Sequence, residues 1–206
     1  MEILAIAPVL GIMAVSCPEP GEEDIWSHVT NLSQIFGTWK GPSAYSYVIE
    51  DIKFSGNYAN YTMIFSNVNI IISQTGTTAQ TYSNNYAITS LINSTMTANA
   101  IDKTITQTGT QTITYSGASE EYWLSLKQLY EYIYTGDCVT INFNDLNYSY
   151  TAAFNNFPMP YVFYDEYAAD LLNSLQVNRN KTKIRMPVYP EYDYLIEFSK
   201  MNIFLH

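Results

Sequence analysis

Few residues in this 206-residue chain carry obvious chemistry, and their spacing limits what that chemistry is. The two histidines stand apart, His28 ahead of the first expected strand and His206 at the last position, so neither is an obvious base. Carboxylates cluster at Asp165, Glu166 and Asp170 and again at Glu191, Asp193 and Glu197. A carboxylate pair across a cleft would serve glycoside hydrolysis, whereas a solvated helix start and strand face is the simpler account. The chain has no H-E-x-x-H, C-x-x-C, P-loop, dinucleotide glycine pattern or G-x-S-x-G. Asn142-Phe143-Asn144-Asp145 has the composition of a calcium loop but lacks its glycine and its bidentate Glu. No catalytic residue, metal or cofactor is therefore expected.

Residues suited to binding are better represented. Arg179, Lys181, Lys183 and Arg185 place four of the nine basic side chains at alternate positions, with Thr182, Ile184 and Met186 on the other parity. On a strand the four cations line one face about 6.6 Å apart. Such a row fits an anionic surface, a lipid headgroup or a polysaccharide phosphate. It also fits a basic edge strand that discourages edge-to-edge pairing. The 19 tyrosines are the other resource. Facing inward they would line a site for an apolar ligand with a few polar atoms; facing outward they would serve a protein or sugar interface. Tyr148 and Tyr150 share parity with Phe154 and are expected to face inward.

The first seventeen residues speak to location. Ile3–Val15 is an apolar run broken only by Pro8 and Gly11, too short for the roughly 20 residues of a spanning helix. It has the length of a signal-peptide apolar region and ends in Ala14-Val15-Ser16-Cys17. On its residues alone the run also fits a buried element with Cys17 as a core thiol. The Ala14–Cys17 segment resembles the lipobox of bacterial lipoproteins, in which cleavage before the cysteine leaves an acylated N-terminus. That resemblance implies a signal peptide over 1–16, lipidation at Cys17, and a membrane partner reached through the anchor. Pro18-Glu19-Pro20-Gly21-Glu22-Glu23-Asp24 reads as a solvated acidic tether within 17–29. Pro18 after the cysteine, rather than Asp, implies the outer membrane or cell surface of the bacterial envelope. With Cys17 acylated, Cys138 is a lone thiol and is expected as a small buried apolar residue.

The elements that would position these residues are mostly strands. Charged residues are only 14% of the chain, and the net charge of −10 excludes nucleic acid as a partner. No Asp, Glu, Lys or Arg occurs from Phe54 to Ile101, a β-branched, Thr/Asn/Ser-rich stretch read as consecutive antiparallel strands. Turns are expected at Gly56-Asn57, Thr75-Gly76-Thr77 and Asn84-Asn85, and a hairpin at Gly109 between Lys103–Thr108 and Gln111–Tyr115. Val139, Ile141 and Phe143 alternate, Asn144-Asp145 turns the chain, and Leu146, Tyr148, Tyr150, Ala152 and Phe154 resume the apolar face. Ile184, Met186 and Val188, then Tyr192, Tyr194, Ile196 and Phe198, repeat the pattern. Helices are expected near 119–134, with Ser119 as N-cap, Gly136 as stop and Trp123, Leu126, Leu129, Tyr130 and Ile133 on one face, and near 165–176. Five N-x-S/T sequons, at Asn31, Asn60, Asn93, Asn147 and Asn180, are near the chance number for this composition. The fold class is mainly β, an antiparallel barrel or strongly curved sheet with two short helices.

Gly37-Thr38-Trp39-Lys40, after a short helix-like segment, resembles the opening of lipocalins and fatty-acid-binding proteins, the calycin barrels. The resemblance implies a lipocalin-like β domain over 30–206 whose interior holds one small apolar ligand, with Trp39 closing one end. Trp39, Tyr148 and Tyr150 are then the expected ligand-binding residues, although Trp39 also fits an ordinary core aromatic. The alternative is a surface lipoprotein with a filled core, an adhesion or assembly module for an envelope or host protein. Interior side-chain size separates the two, because small inward residues leave room and large ones fill it.

Overall fold

In the computed structural model the residues described are 25–158, 174–187 and 195–201. The expected signal peptide, Cys17 and residues 18–24 of the tether lie outside them. The neutral stretch forms most of β4 (Ile52–Phe65) and all of β5 (Asn69–Tyr82) and β6 (Ala87–Asn99), and β7 (Thr104–Ser116) follows as a fourth long antiparallel strand. Short polar turns join them. Ser66 Oγ accepts from Asn69 N at 2.8 Å, Asn84 Oδ1 accepts from Tyr86 N at 3.2 Å, and Asn99 Oδ1 accepts from Ile101 N at 2.9 Å. These side chains complete the donor count that a turn leaves open.

Among the described residues twelve strands make one antiparallel sheet, in the order β1 (Trp26–His28), β10 (Gln176–Asn178), β11 (Lys183–Pro187), β12 (Leu195–Lys200), β2 (Gly37–Lys40), β4, β5, β6, β7, β9 (Ser149–Pro158) and β8 (Val139–Asn144), with β3 (Ala44–Ile49) also paired to β4. Among the described residues no ladder joins β1 (Trp26–His28) to β8 (Val139–Asn144), so the curved-sheet alternative is realised and the barrel is not closed. β4 divides its outer edge between β3, opposite Ile52–Asn57, and β2 (Gly37–Lys40), opposite Thr62–Phe65. On the β5 side of β4 the extra residue Ala59 forms a bulge, and Asn155 and Asn156 make a second on β9 (Ser149–Pro158) opposite Thr108. Bulges bend and twist long strands, which turns the sheet's ends toward one another.

Three turn assignments are corrected. Gly56-Asn57 and Thr75-Gly76-Thr77 lie inside β4 and β5, and Gly109, at φ +105°, lies inside β7 rather than in a hairpin. The glycines answer to close approach: a Cβ on Gly76 would lie 2.2 Å from the Asn57 carbonyl oxygen, and one on Gly56 would lie 2.2 Å from the Tyr45 ring. The strands also begin earlier than the tether reading allowed, since Trp26–His28 pairs with β10 (Gln176–Asn178).

The helix α1 (Glu120–Ile133) forms where capping and periodicity indicated, with Ser119 Oγ accepting from Tyr122 N and Trp123, Leu126 and Tyr130 buried. Leu129 and Ile133 stay partly exposed. Of the expected second helix, 165–173 lies outside the described residues, and Gln176 already belongs to β10. A 3-10 turn at Leu32–Ile35 precedes β2, closed by Asn31 and Gln34 as a capping box.

Side chains of β4–β9 sort by parity. One face is buried and largely apolar; the other carries mostly hydroxyls, with Thr104, Thr106, Thr108, Thr110, Thr112 and Thr114 alternating along β7. Thr112 and Thr151 hydroxyls meet at 2.8 Å, and those of Ser73 and Thr95 at 3.0 Å. A sheet with few charges is thus solvated through hydroxyls. No helix among the described residues is long and apolar enough to cross a membrane.

Candidate ligand-binding face

A domain usually has one contiguous apolar core. This face has two. The first gathers Trp39, Met63, Phe65, Ile70, Ile72, Ala98 and Ile105 with the C-terminal strands. The second gathers Ile113, Tyr115, Tyr150, Ala152 and Phe154 beneath α1. Between them, on the same inner parity of β5, β6 and β7, lie Gln74, Thr78, Ser90, Gln107 and Gln111, each no more than 8% exposed. Register sets their neighbours: Gln74 faces Ser94, Gly76 faces Ile92, and Thr78 faces Ser90. Ser94 in turn faces Gly109, and Ile92 faces Gln111.

Aromatic walls flank this belt. On the β3–β4 side, Tyr45 packs on Tyr47 at 5.9 Å and Tyr58 at 6.1 Å, Tyr58 meets Tyr61 at 4.9 Å, and Tyr61 meets Phe198 of β12 (Leu195–Lys200) at 5.0 Å. On the α1 side, Tyr115 and Tyr130 share a hydroxyl hydrogen bond of 2.5 Å, and the rings of Tyr130 and Tyr150 lie 4.4 Å apart. Burial raises the Tyr45, Tyr58, Tyr115 and Tyr150 phenols far above their ordinary range and pushes Tyr134 up to about 12. All stay neutral at physiological pH. Strands β5 to β9 contain no Asp, Glu, Lys or Arg, so the belt itself is free of charge.

Within the belt, Gln111 Nε2 donates to Ser90 Oγ at 3.0 Å. Gln74 Nε2 is buried without a hydrogen-bond partner. An amide donor left so costs free energy that an added acceptor would return, about 1–3 kcal/mol in typical cases. The belt offers uncharged donors and acceptors on small-residue ground between tyrosines.

The expected ligand residues divide between the two cores. Trp39 is fully buried in the first, its Nε1 donating to the Ile35 carbonyl at 2.7 Å. Tyr150 is in the second, 2% exposed, at the wall of the belt. Tyr148, at φ +42°, stacks on Trp123 at 6.0 Å from the turn before β9. Leu146, expected on the apolar face, is 95% exposed in that turn.

The basic row is not one strand. Arg179 and Lys181 lie in the turn between β10 and β11 (Lys183–Pro187), and only Lys183 and Arg185 share a strand face. Nor is β11 an edge, since it pairs with β10 and β12. Lys183 bonds Glu197 at 3.2 Å; Arg185 donates to Gln176 Oε1 at 2.7 Å and lies 4.2 Å from the Trp26 ring centre.

His28 is on exposed β1, and the carboxylates Asp165, Glu166, Asp170, Glu191 and Asp193 lie outside the described residues. Among the described residues no three His, Cys, Asp or Glu side chains group to hold a metal. Cys138, only half-buried, precedes β8. The belt glutamines escaped sequence reading, although polar residues on the inward parity of a neutral strand are a usable signal. No family model, curated protein or solved structure matches this chain.

Proposed function

We propose that this chain is a lipid-anchored protein of the bacterial cell envelope whose curved sheet holds one small molecule against its inner face. The observation that carries the reading is the buried polar belt between two apolar cores, with the Gln74 amide unsatisfied inside it. A face built only for stability would be apolar throughout, because an unpaired buried donor is costly. Anchoring rests on the apolar run, Cys17 and the acidic tether. Tethering through Cys17 would hold the belt beside the membrane and raise the effective concentration of a membrane-derived ligand. The role is binding, not catalysis.

The competing reading, an adhesion or assembly module with a filled core, draws on the exposed Tyr122, Leu129, Tyr132 and Ile133 of α1. Thermal melting of the purified full-length chain against fatty acids, sterols and neutral glycerides separates the two. A concentration-dependent rise in Tm with one class supports binding. No rise with any class favours the interaction module.

A further inference from the structure

Resting on that binding reading, we infer that the inner face selects an uncharged amphiphile bearing a hydroxyl or carbonyl oxygen, and that Gln74 is the residue that recognises it. Three observations converge. First, Gln74 is 8% exposed, points to the inner face, and presents an Nε2 donor with no partner, so the missing group is an acceptor. Second, no ionised side chain stands on the inner parity of β5 to β9 to balance a charged headgroup. Bringing an ion there would cost its hydration without a counter-charge, which excludes a fatty-acid carboxylate at neutral pH. Third, the surroundings are two-natured: tyrosine rings for an apolar body, and Ser90, Thr78, Gln107 and Gln111 for further hydroxyls. An acylglycerol and an alkyl glycoside share this chemistry.

The test uses the full-length chain with three probes of equal chain length: monolauroylglycerol, dodecyl glucoside below its micelle concentration, and laurate at pH 8. At least one neutral probe should bind ten-fold or more tighter than laurate. The near-isosteric Gln74→Met should then lose ten-fold or more in affinity for that probe while its ligand-free Tm is unchanged or higher, since an unsatisfied donor has been removed. A structural role for Gln74 would instead lower the Tm. Laurate binding as tightly as the neutral probes, or Gln74→Met binding like the native chain, overturns the selectivity and leaves the binding reading standing. Failure of all three probes to bind the native chain overturns both.

Discussion

Single residues show how closely backbone contact governs this sheet. Gly76 lacks room for a Cβ, which would lie 2.2 Å from a backbone oxygen, whereas Gly136 has nothing within 4 Å of that position and a φ of +106°. Gly76→Ala should therefore cost roughly 3 kcal/mol, the upper end for overpacking. Gly136→Ala carries only the left-handed backbone penalty of about 1–2 kcal/mol. Denaturant melts of the two variants check the order; equal losses would contradict the contact argument. The tyrosines supply a pH prediction. Their folded pKa values are raised by burial, so stability is whole below the unfolded value of about 10 and falls as pH rises beyond it, where only the unfolded chain ionises readily. Tyrosinate absorbance should thus rise together with unfolding rather than ahead of it. Smooth titration of the buried tyrosines with circular dichroism unchanged would contradict this.

At the scale of elements, α1 is held to the β8–β9 turn by one carboxylate. Trp123 Nε1 donates to Asp145 at 2.7 Å and Lys127 Nζ lies 3.0 Å from the same oxygen. The Trp123 hydrogen bond, then Lys127, lowers the Asp145 pKa. A lowered folded pKa gives stability that is present above the unfolded value of about 3.9 and is lost as pH falls through the folded one. Asp145→Asn should lower the Tm at pH 7, and the gap from the native chain should narrow progressively as pH falls below the unfolded value. A gap that did not narrow at all on acidification would show that the carboxylate's charge is not what holds the helix. The helix itself was legible because Ser119, the two glutamates and the Trp123–Tyr130 spacing all agree with one period. Long strands were less so. Gly56, Gly76 and Gly109 look like turns in sequence, yet each is a site where backbone or a ring approaches a strand interior. That distinction depends on a neighbouring strand, which local sequence does not contain.

For the whole molecule, alternation and the neutral stretch led to the right fold class, because period-two patterning reports a half-buried sheet wherever it occurs. Closure was not legible, since it depends on which edges meet. Register across β5, β6 and β7 is also what assembles the candidate site: Gln111 meets Ser90 across the β6–β7 ladder, and Gln74, opposite Ser94, lies on the same face. The tyrosines of interest were partly legible through Tyr150, whereas the wall of Tyr45, Tyr58 and Tyr61 depends on β3 folding back along β4. The central claim is that this inner face holds a small molecule, and mass spectrometry of an organic extract of the purified full-length protein, set against the lipid background of the membranes it came from, tests it most directly. A single neutral amphiphile present in proportion to protein, and absent or depleted in Gln74→Met prepared alongside, is the predicted result. An extract with no such species would contradict it, whereas equal content in both preparations would leave the claim standing and remove only the role given to Gln74.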